Sequence, residues 1–69
     1  MTKLREVREG TGFKREYVAK HLGISGDHLN KIERGETPLD LKKIATLSEL
    51  YNVSVEEMAK IAIETIKEE

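Results

Sequence analysis

The chain has 69 residues, of which 36% are charged and 38% hydrophobic, with a formal net charge of −1 and no cysteine. This length allows one domain and no second core, and the lack of cysteine excludes a disulfide framework and cysteine-based metal sites or nucleophiles. No apolar run approaches the roughly 20 residues that cross a bilayer, and the first fifteen residues are too charged for a signal peptide, so we expect a soluble cytoplasmic protein.

The first three helices are predicted from apolar residues at helical spacing and from the glycines that end each stretch. The first runs from Thr2 to Glu9 and is stopped by the Gly10-Thr11-Gly12 segment. The second covers 14–22 and the third about 26–34, and each is followed by a glycine that can adopt a left-handed backbone. Ser25 can cap the third helix through its hydroxyl.

Two further helices follow the loop marked by Pro38. Asp40 is a good N-cap for a fourth helix, and Asn52 suits the left-handed position at its end. Ser54 and the two glutamates after Val55 form a capping-box pattern that opens a fifth helix over about 55–67.

The fold predicted from this pattern is all-α. No stretch alternates apolar and polar residues with period two over a convincing length, and the loops are only a few residues long. We therefore expect a compact five-helix bundle with a helix-turn-helix, forming a single domain over residues 1–69. Its core is predicted to contain Leu4, Val7, Phe13, Val18, Leu22, Ile24, Leu29, Ile32, Leu41, Ile44, Leu47 and Val53.

The segment of about 15–34 has the residues that two steeply crossing helices need. Ala19 is small enough for a close helix contact, and Gly23 tolerates the positive φ of a tight turn. Leu29 and Ile32 then pack the later helix onto the earlier one. The other face of the later helix is predicted to point outward and carries Asp27, His28, Asn30, Lys31 and Arg34.

Several groups of residues, in order and at their observed spacing, are similar to a known family. They are Leu4-Arg5 with Arg8; Gly12-Phe13; Glu16-x-Val18-Ala19; Leu22-Gly23-Ile24-Ser25; Leu29-x-x-Ile32-Glu33-Arg34-Gly35; and Leu47 to Ser54. On these residues the chain resembles the lambdoid phage repressor and Cro group of helix-turn-helix transcriptional regulators, also called xenobiotic-response-element-like regulators. The resemblance covers about Leu4 to Met58 and implies that the third helix enters the major groove of DNA.

The resemblance also suggests which residues contact DNA. With the third helix in the groove, the base contacts are expected from Asp27, His28 and Lys31, and the phosphate contacts from Arg15, Arg34 and Tyr17. Two alternatives stay open: His28 as an ordinary surface histidine, and Tyr17 as a partly packed ring. Arg8 and Glu33 match a family pair that bridges the first and third helices in the interior, so we expect them to form a structural ion pair.

The sequence departs from the family pattern in three places. Lys14 stands where a serine or threonine usually caps the second helix, and Arg15 stands where the family usually has glutamine. Arginine can still make a charged phosphate contact. Gly26-Asp27 replaces the usual longer polar pair at the start of the third helix, which affects base reading and not the fold.

The fifth helix has more apolar residues than one buried face requires. Its expected core stripe consists of Val55, Met58, Ala59, Ala62 and Ile66. Ile61 and Ile63 lie off that stripe, and exposed apolar surface of this kind marks an interface. We therefore predict a two-fold homodimer with Ile61, Ile63 or Ile66 at the contact. The alternative is that these residues fold back on the first helix.

The charge distribution leaves two functions open. Residues 1–34 carry eight Lys/Arg and five Asp/Glu, net +3, whereas residues 35–69 carry four and eight, net −4. The leading prediction is a sequence-specific DNA-binding transcriptional regulator of prokaryotic or phage type, with repression as the expected direction and double-stranded DNA as the partner. The alternative is a protein-interaction module, antitoxin-like or an anti-repressor subunit, favoured by the acidic second half, the net charge of −1 and Gly26-Asp27 at the start of the third helix.

An enzyme is the third and least favoured hypothesis. The sequence has no Ser/His/Asp set, no phosphate-cradling glycine loop and no carboxylate pair in a cleft-forming context. Two distant histidines without cysteine do not make a metal site. We therefore expect no catalytic residues, no cofactor, no metal, no small-molecule substrate and no membrane partner. A positive stripe formed by Arg15, Lys31 and Arg34 would favour DNA over the protein-interaction reading.

Overall fold

A computed structural model describes residues 2–67, the last by its backbone alone, so residues 1, 68 and 69 of the predicted domain lie outside the described residues. Within 2–67 the chain forms five helices and no strand. The helices are α1 (Lys3–Thr11), α2 (Arg15–Leu22), α3 (Gly26–Glu33), α4 (Leu41–Leu50) and α5 (Val55–Lys67). The Cα radius of gyration is 10.5 Å, near the roughly 11 Å expected of a compact chain of this length. The predicted all-α five-helix fold is confirmed.

Short-range hydrogen bonds set the helix starts. Ser25, Asp40 and Ser54 each accept a hydrogen bond from the backbone N–H three residues later, at 3.1, 2.8 and 3.0 Å. These caps satisfy N–H groups that have no partner inside the helix. Lys14 makes no side-chain cap at the start of α2.

The first helix ends later than predicted. Gly10 does not stop α1, which continues to Thr11. Gly12 takes the left-handed conformation at φ 83° and ends the helix, while the Thr11 hydroxyl donates to the Arg8 carbonyl at 2.6 Å. A glycine in an ordinary helical conformation weakens a helix without ending it.

One hydrophobic core joins the five helices. Its buried apolar residues are Leu4, Val18, Ala19, Leu29, Ile32, Ile44, Leu47, Tyr51, Met58, Ile61 and Ala62. Val7, Phe13, Leu22, Ile24 and Val53 of the predicted core pack against it while partly exposed. The prediction that Leu41 faces inward is wrong, since it is 82% exposed. Leu41 is the first residue of α4, and the buried face of that helix begins one turn later at Ile44.

The buried face of α5 is rotated from the predicted stripe. It consists of Met58, Ile61, Ala62 and Thr65. Ile61 is 3% exposed, so it belongs to the core, and its predicted place on an exposed dimer surface is wrong. Val55, predicted in the core stripe, is instead 51% exposed, and Ile66 is 43% exposed.

Thr65 explains this rotation. Its hydroxyl donates to the Ile61 carbonyl at 2.8 Å and accepts from the Leu4 backbone N–H at 3.0 Å. With its polar atom satisfied on both sides, threonine can be buried like an apolar residue. The same bond ties the first turn of α1 to α5.

Candidate nucleic-acid interface

The α2–turn–α3 unit depends on the backbone of Gly23. This residue has φ 72°, and its N–H donates to the Lys20 carbonyl at 3.2 Å, while the Ile24 N–H donates to the Ala19 carbonyl at 3.1 Å. A side chain at such a positive φ is strained. The chain therefore leaves α2 sharply and enters α3 after one short turn, as the sequence predicted.

A single face of α3 is buried, and this fixes the direction of the other face. Leu29 and Ile32 are 1% and 2% exposed and pack in the core. The opposite side carries the exposed Asp27, Lys31 and Arg34, with the half-buried His28 and Asn30 at its margins. We call these five residues the outer face of α3.

A buried ion pair supports α3 from behind. Arg8 Nε lies 2.6 Å from Glu33 Oε2, and Arg8 Nη2 donates to Glu33 Oε1 at 3.2 Å. Arg8 Nη1 also donates to the Phe13 carbonyl at 3.0 Å, and the Thr2 hydroxyl donates to the Glu33 carbonyl. Burial by itself lowers the pKa of the Arg8 guanidinium, but its hydrogen bonds to Glu33 and the charge of that carboxylate outweigh burial and raise the pKa. Arg8 and Glu33 are therefore in the contact that the sequence predicted, linking α1 to α3.

The charges of Glu33 and Arg8 both affect the pKa of Tyr51. Burial, followed by the negative charge of Glu33, raises the pKa of the Tyr51 phenol well above its ordinary value. Its buried hydroxyl has no hydrogen-bond partner among the described residues. The phenol therefore stays neutral at physiological pH.

Arg15, which the sequence predicted as a phosphate contact, already has a hydrogen-bond partner within the protein. It is half-buried, and its Nη1 donates to Asn30 Oδ1 at 3.0 Å. Because a guanidinium has donors only, the amide oxygen of Asn30 must face it, which leaves the Asn30 NH₂ group as the remaining donor. Sequence reasoning missed this contact, since fifteen residues separate the two side chains and no local pattern couples them.

Arg34 and Lys31 differ in their surroundings. Arg34 Nη2 lies 2.9 Å from Glu36 Oε2, and both side chains remain exposed. Lys31 is exposed, and within the described part of the chain no ion pair is formed by it. Of the three cations predicted to form a positive stripe, two therefore have an acceptor within the protein.

Tyr17 belongs to a row of rings along α2. Its ring centroid lies 5.0 Å from that of Phe13 and 4.7 Å from that of His21, the latter edge-on. Tyr17 is nevertheless 46% exposed. The spacing of four residues between these rings is the sequence signal for such a row. The packed-ring alternative for Tyr17 thus has direct contacts, and its hydroxyl remains a candidate phosphate donor.

Residues 2–66, whose side chains are described, contain no group of three or more histidines or carboxylates that could hold a metal ion. Among the described helices, none is long and apolar enough to span a bilayer.

The helices α2 and α3 are short and are joined through a left-handed glycine, and α3 buries one face and exposes a polar face. This arrangement defines a helix-turn-helix protein. A family model of the helix-turn-helix domain matches residues 2–61, and the chain belongs to this family. Comparison with curated proteins and with solved structures found no match.

Proposed function

We propose that this protein is a sequence-specific transcriptional regulator of the phage repressor and Cro type, which binds double-stranded DNA as a homodimer and acts as a repressor. The observation that carries the proposal is the outer face of α3, which is polar and largely exposed, while the opposite face is buried through Leu29, Ile32 and Glu33. A helix of this kind fits the major groove, where each base pair presents a distinct set of donors and acceptors.

Within this proposal the side chains divide into two groups. Lys31 donates to guanine, Asp27 accepts from a cytosine amino group, and His28 lies beside them. Arg15 and Arg34 hold phosphates at the two ends of the unit and fix its register without reading sequence. Of these five residues, Asp27, Lys31 and Arg34 are exposed, and Arg15 and His28 are half-buried.

Gly26 leaves room for a close approach at the start of α3. A Cβ built there meets nothing within 4 Å, and the residue has no positive φ. Neither packing nor backbone conformation requires glycine at this position. Unlike Gly10, Gly26 lies where the proposed DNA contact falls, so its lack of a side chain would let DNA approach the backbone closely.

Gly26→Ala tests that close approach, with Gly10→Ala as its matched control. Gly10 also lies in a helix with nothing within 4 Å of a built Cβ, but it belongs to α1 and lies outside the helix-turn-helix unit. We expect both variants to keep or raise the melting temperature and Gly26→Ala alone to weaken DNA binding. Equal affinities of the two variants for the selected DNA would contradict a close approach at Gly26.

The dimer is proposed through the outer side of α5. Val55, Ile63 and Ile66 are 51%, 54% and 43% exposed, and helical spacing places them on one side of the helix with Ala59 between them. Apolar side chains repeated along one exposed side suggest an interface. In such a dimer the two half-sites lie about one helical turn apart, roughly 34 Å.

Selection of binding sites from a large random pool of double-stranded DNA tests the proposed function. At low salt the pool is expected to yield one enriched motif with two-fold symmetry. If no sequence binds better than bulk DNA, the regulator proposal fails.

The protein-interaction alternative is favoured by one observation. Arg15 and Arg34, the cations proposed for phosphates, already have acceptors in Asn30 and Glu36. Under this alternative the pool gives no enriched motif, and the outer face of α3 binds a protein.

A further inference from the structure

The end of α3 positions Glu36 through the backbone. Gly35 has φ 82°, its N–H donates to the Ile32 carbonyl at 3.0 Å, and the Glu36 N–H donates to the Lys31 carbonyl at 3.0 Å. This pair of bonds is the left-handed termination that fixes the two residues after a helix. The Glu36 carboxylate is therefore held at the C-terminal end of α3, within 2.9 Å of Arg34.

Helix stability does not account for a carboxylate at this place. The C-terminal end of a helix carries partial negative charge, which favours cations and disfavours anions. Arg34 is therefore well placed for α3, whereas Glu36 is badly placed. An exposed pair of this kind adds little to folding. The Glu36 carboxylate thus pairs with Arg34 but does not stabilise the helix.

We propose that Glu36 limits the affinity for DNA: it occupies Arg34 in the free protein and must be displaced by a DNA phosphate on binding; this inference rests on the proposed function. The carboxylate is the same kind of acceptor as the phosphate, so every DNA sequence has to replace it. The cost is the same for every sequence, so all DNA loses the same factor in affinity, and binding that depends on phosphate contacts alone is the first to become too weak to persist. A site that also makes base contacts keeps enough affinity to bind.

A double-mutant cycle with Glu36→Gln and Arg34→Ala tests the exchange. Glu49→Gln is the matched control, because Glu49 is also an exposed carboxylate at the C-terminal end of a helix, α4. Affinity is measured by fluorescence anisotropy on the selected site and on a scrambled site, over a range of salt. Thermal melting establishes that each variant is folded.

We expect Glu36→Gln to tighten binding to both DNAs by roughly two- to fivefold, the value of one exposed ion pair. Its salt dependence should be steeper by up to about one unit, since the phosphate contact of Arg34 then releases counterions without freeing a carboxylate that takes up cations. The gain should largely disappear in the Arg34→Ala background, and Glu49→Gln should have no such effect.

Each other result overturns the inference in a recognisable way. An equal gain with and without Arg34 means that Glu36 acts only as a general negative charge. No gain, or a gain matched by Glu49→Gln, means that Glu36 does not compete with DNA. If neither the wild type nor Glu36→Gln binds any DNA at low salt, the proposed function fails together with this inference.

Discussion

Replacing Arg8 with methionine would leave the Glu33 carboxylate buried without its cation. Glu33 is 1% exposed, and Arg8 reaches both of its oxygens. Removing one partner of a buried pair costs about 3–5 kcal/mol, since the remaining charge has lost its solvation and its counter-charge. A chain of this length has a total stability of about 3–10 kcal/mol at the usual value per residue. Arg8→Met is therefore expected to remove about a third or more of the folding free energy.

Urea denaturation followed by helical circular dichroism measures the effect, with Arg5→Met as the matched control. Arg5 forms an exposed ion pair with Glu9 at 3.3 Å, so the same substitution there should cost only about 0–1 kcal/mol. Adding Glu33→Leu to Arg8→Met should recover most of the loss, because the pair is then replaced by apolar side chains. Similar losses for Arg8→Met and Arg5→Met, or a double variant as unstable as the sum of its single changes, would refute this reasoning.

Three further predictions concern the core, a helix cap and the dimer. Leu29→Ala should cost about 2–5 kcal/mol in urea denaturation, whereas Leu41→Ala should stay within about 0.5 kcal/mol, and equal losses would contradict the assigned faces. The hydrogen bonds from the backbone and side chain of Lys43 lower the pKa of Asp40, so the contribution of this cap to stability is present above the usual pKa of 3.8 and is lost as the pH falls through the lowered pKa. Asp40→Ala should therefore lower the melting temperature at neutral pH, and the difference from wild type should narrow in acid. A difference that stays constant with pH would count against the cap. Ile63→Gln should sediment as a monomer at tens of micromolar, where the wild type sediments as a dimer. If the wild type and Ile63→Gln both sediment as monomers, the dimer proposal fails.

The helix boundaries were predictable where short-range bonds decide them. Ser25, Asp40 and Ser54 cap their helices through contacts three residues away, and Asn52 adopts a left-handed φ of 58° as its position suggested. The end of α1 was the exception, because either Gly10 or Gly12 could end the helix and only the backbone conformation shows that Gly12 does so. Features fixed by neighbouring residues are thus visible in the sequence.

Contacts between distant segments could not be predicted in this way. The burial of Thr65, which rotates α5 and brings Ile61 into the core, depends on the Leu4 backbone N–H sixty-one residues away. Arg15 and Asn30 likewise meet only when α2 and α3 cross. The contact between Arg8 and Glu33 was expected from family resemblance, since the sequence alone gives two charges without a stated partner.

If the outer face of α3 reads bases, a substitution at Lys31 shows it most directly. The measurement is the affinity of wild type and Lys31→Ala, at one fixed salt concentration, for the selected site and for a scrambled site. We expect a loss of roughly 1–3 kcal/mol on the selected site, a much smaller loss on the scrambled site, and relaxed preference at one base pair. Equal losses on both DNAs, with the preferred motif unchanged, would mean that Lys31 supplies only charge and would contradict base reading by α3.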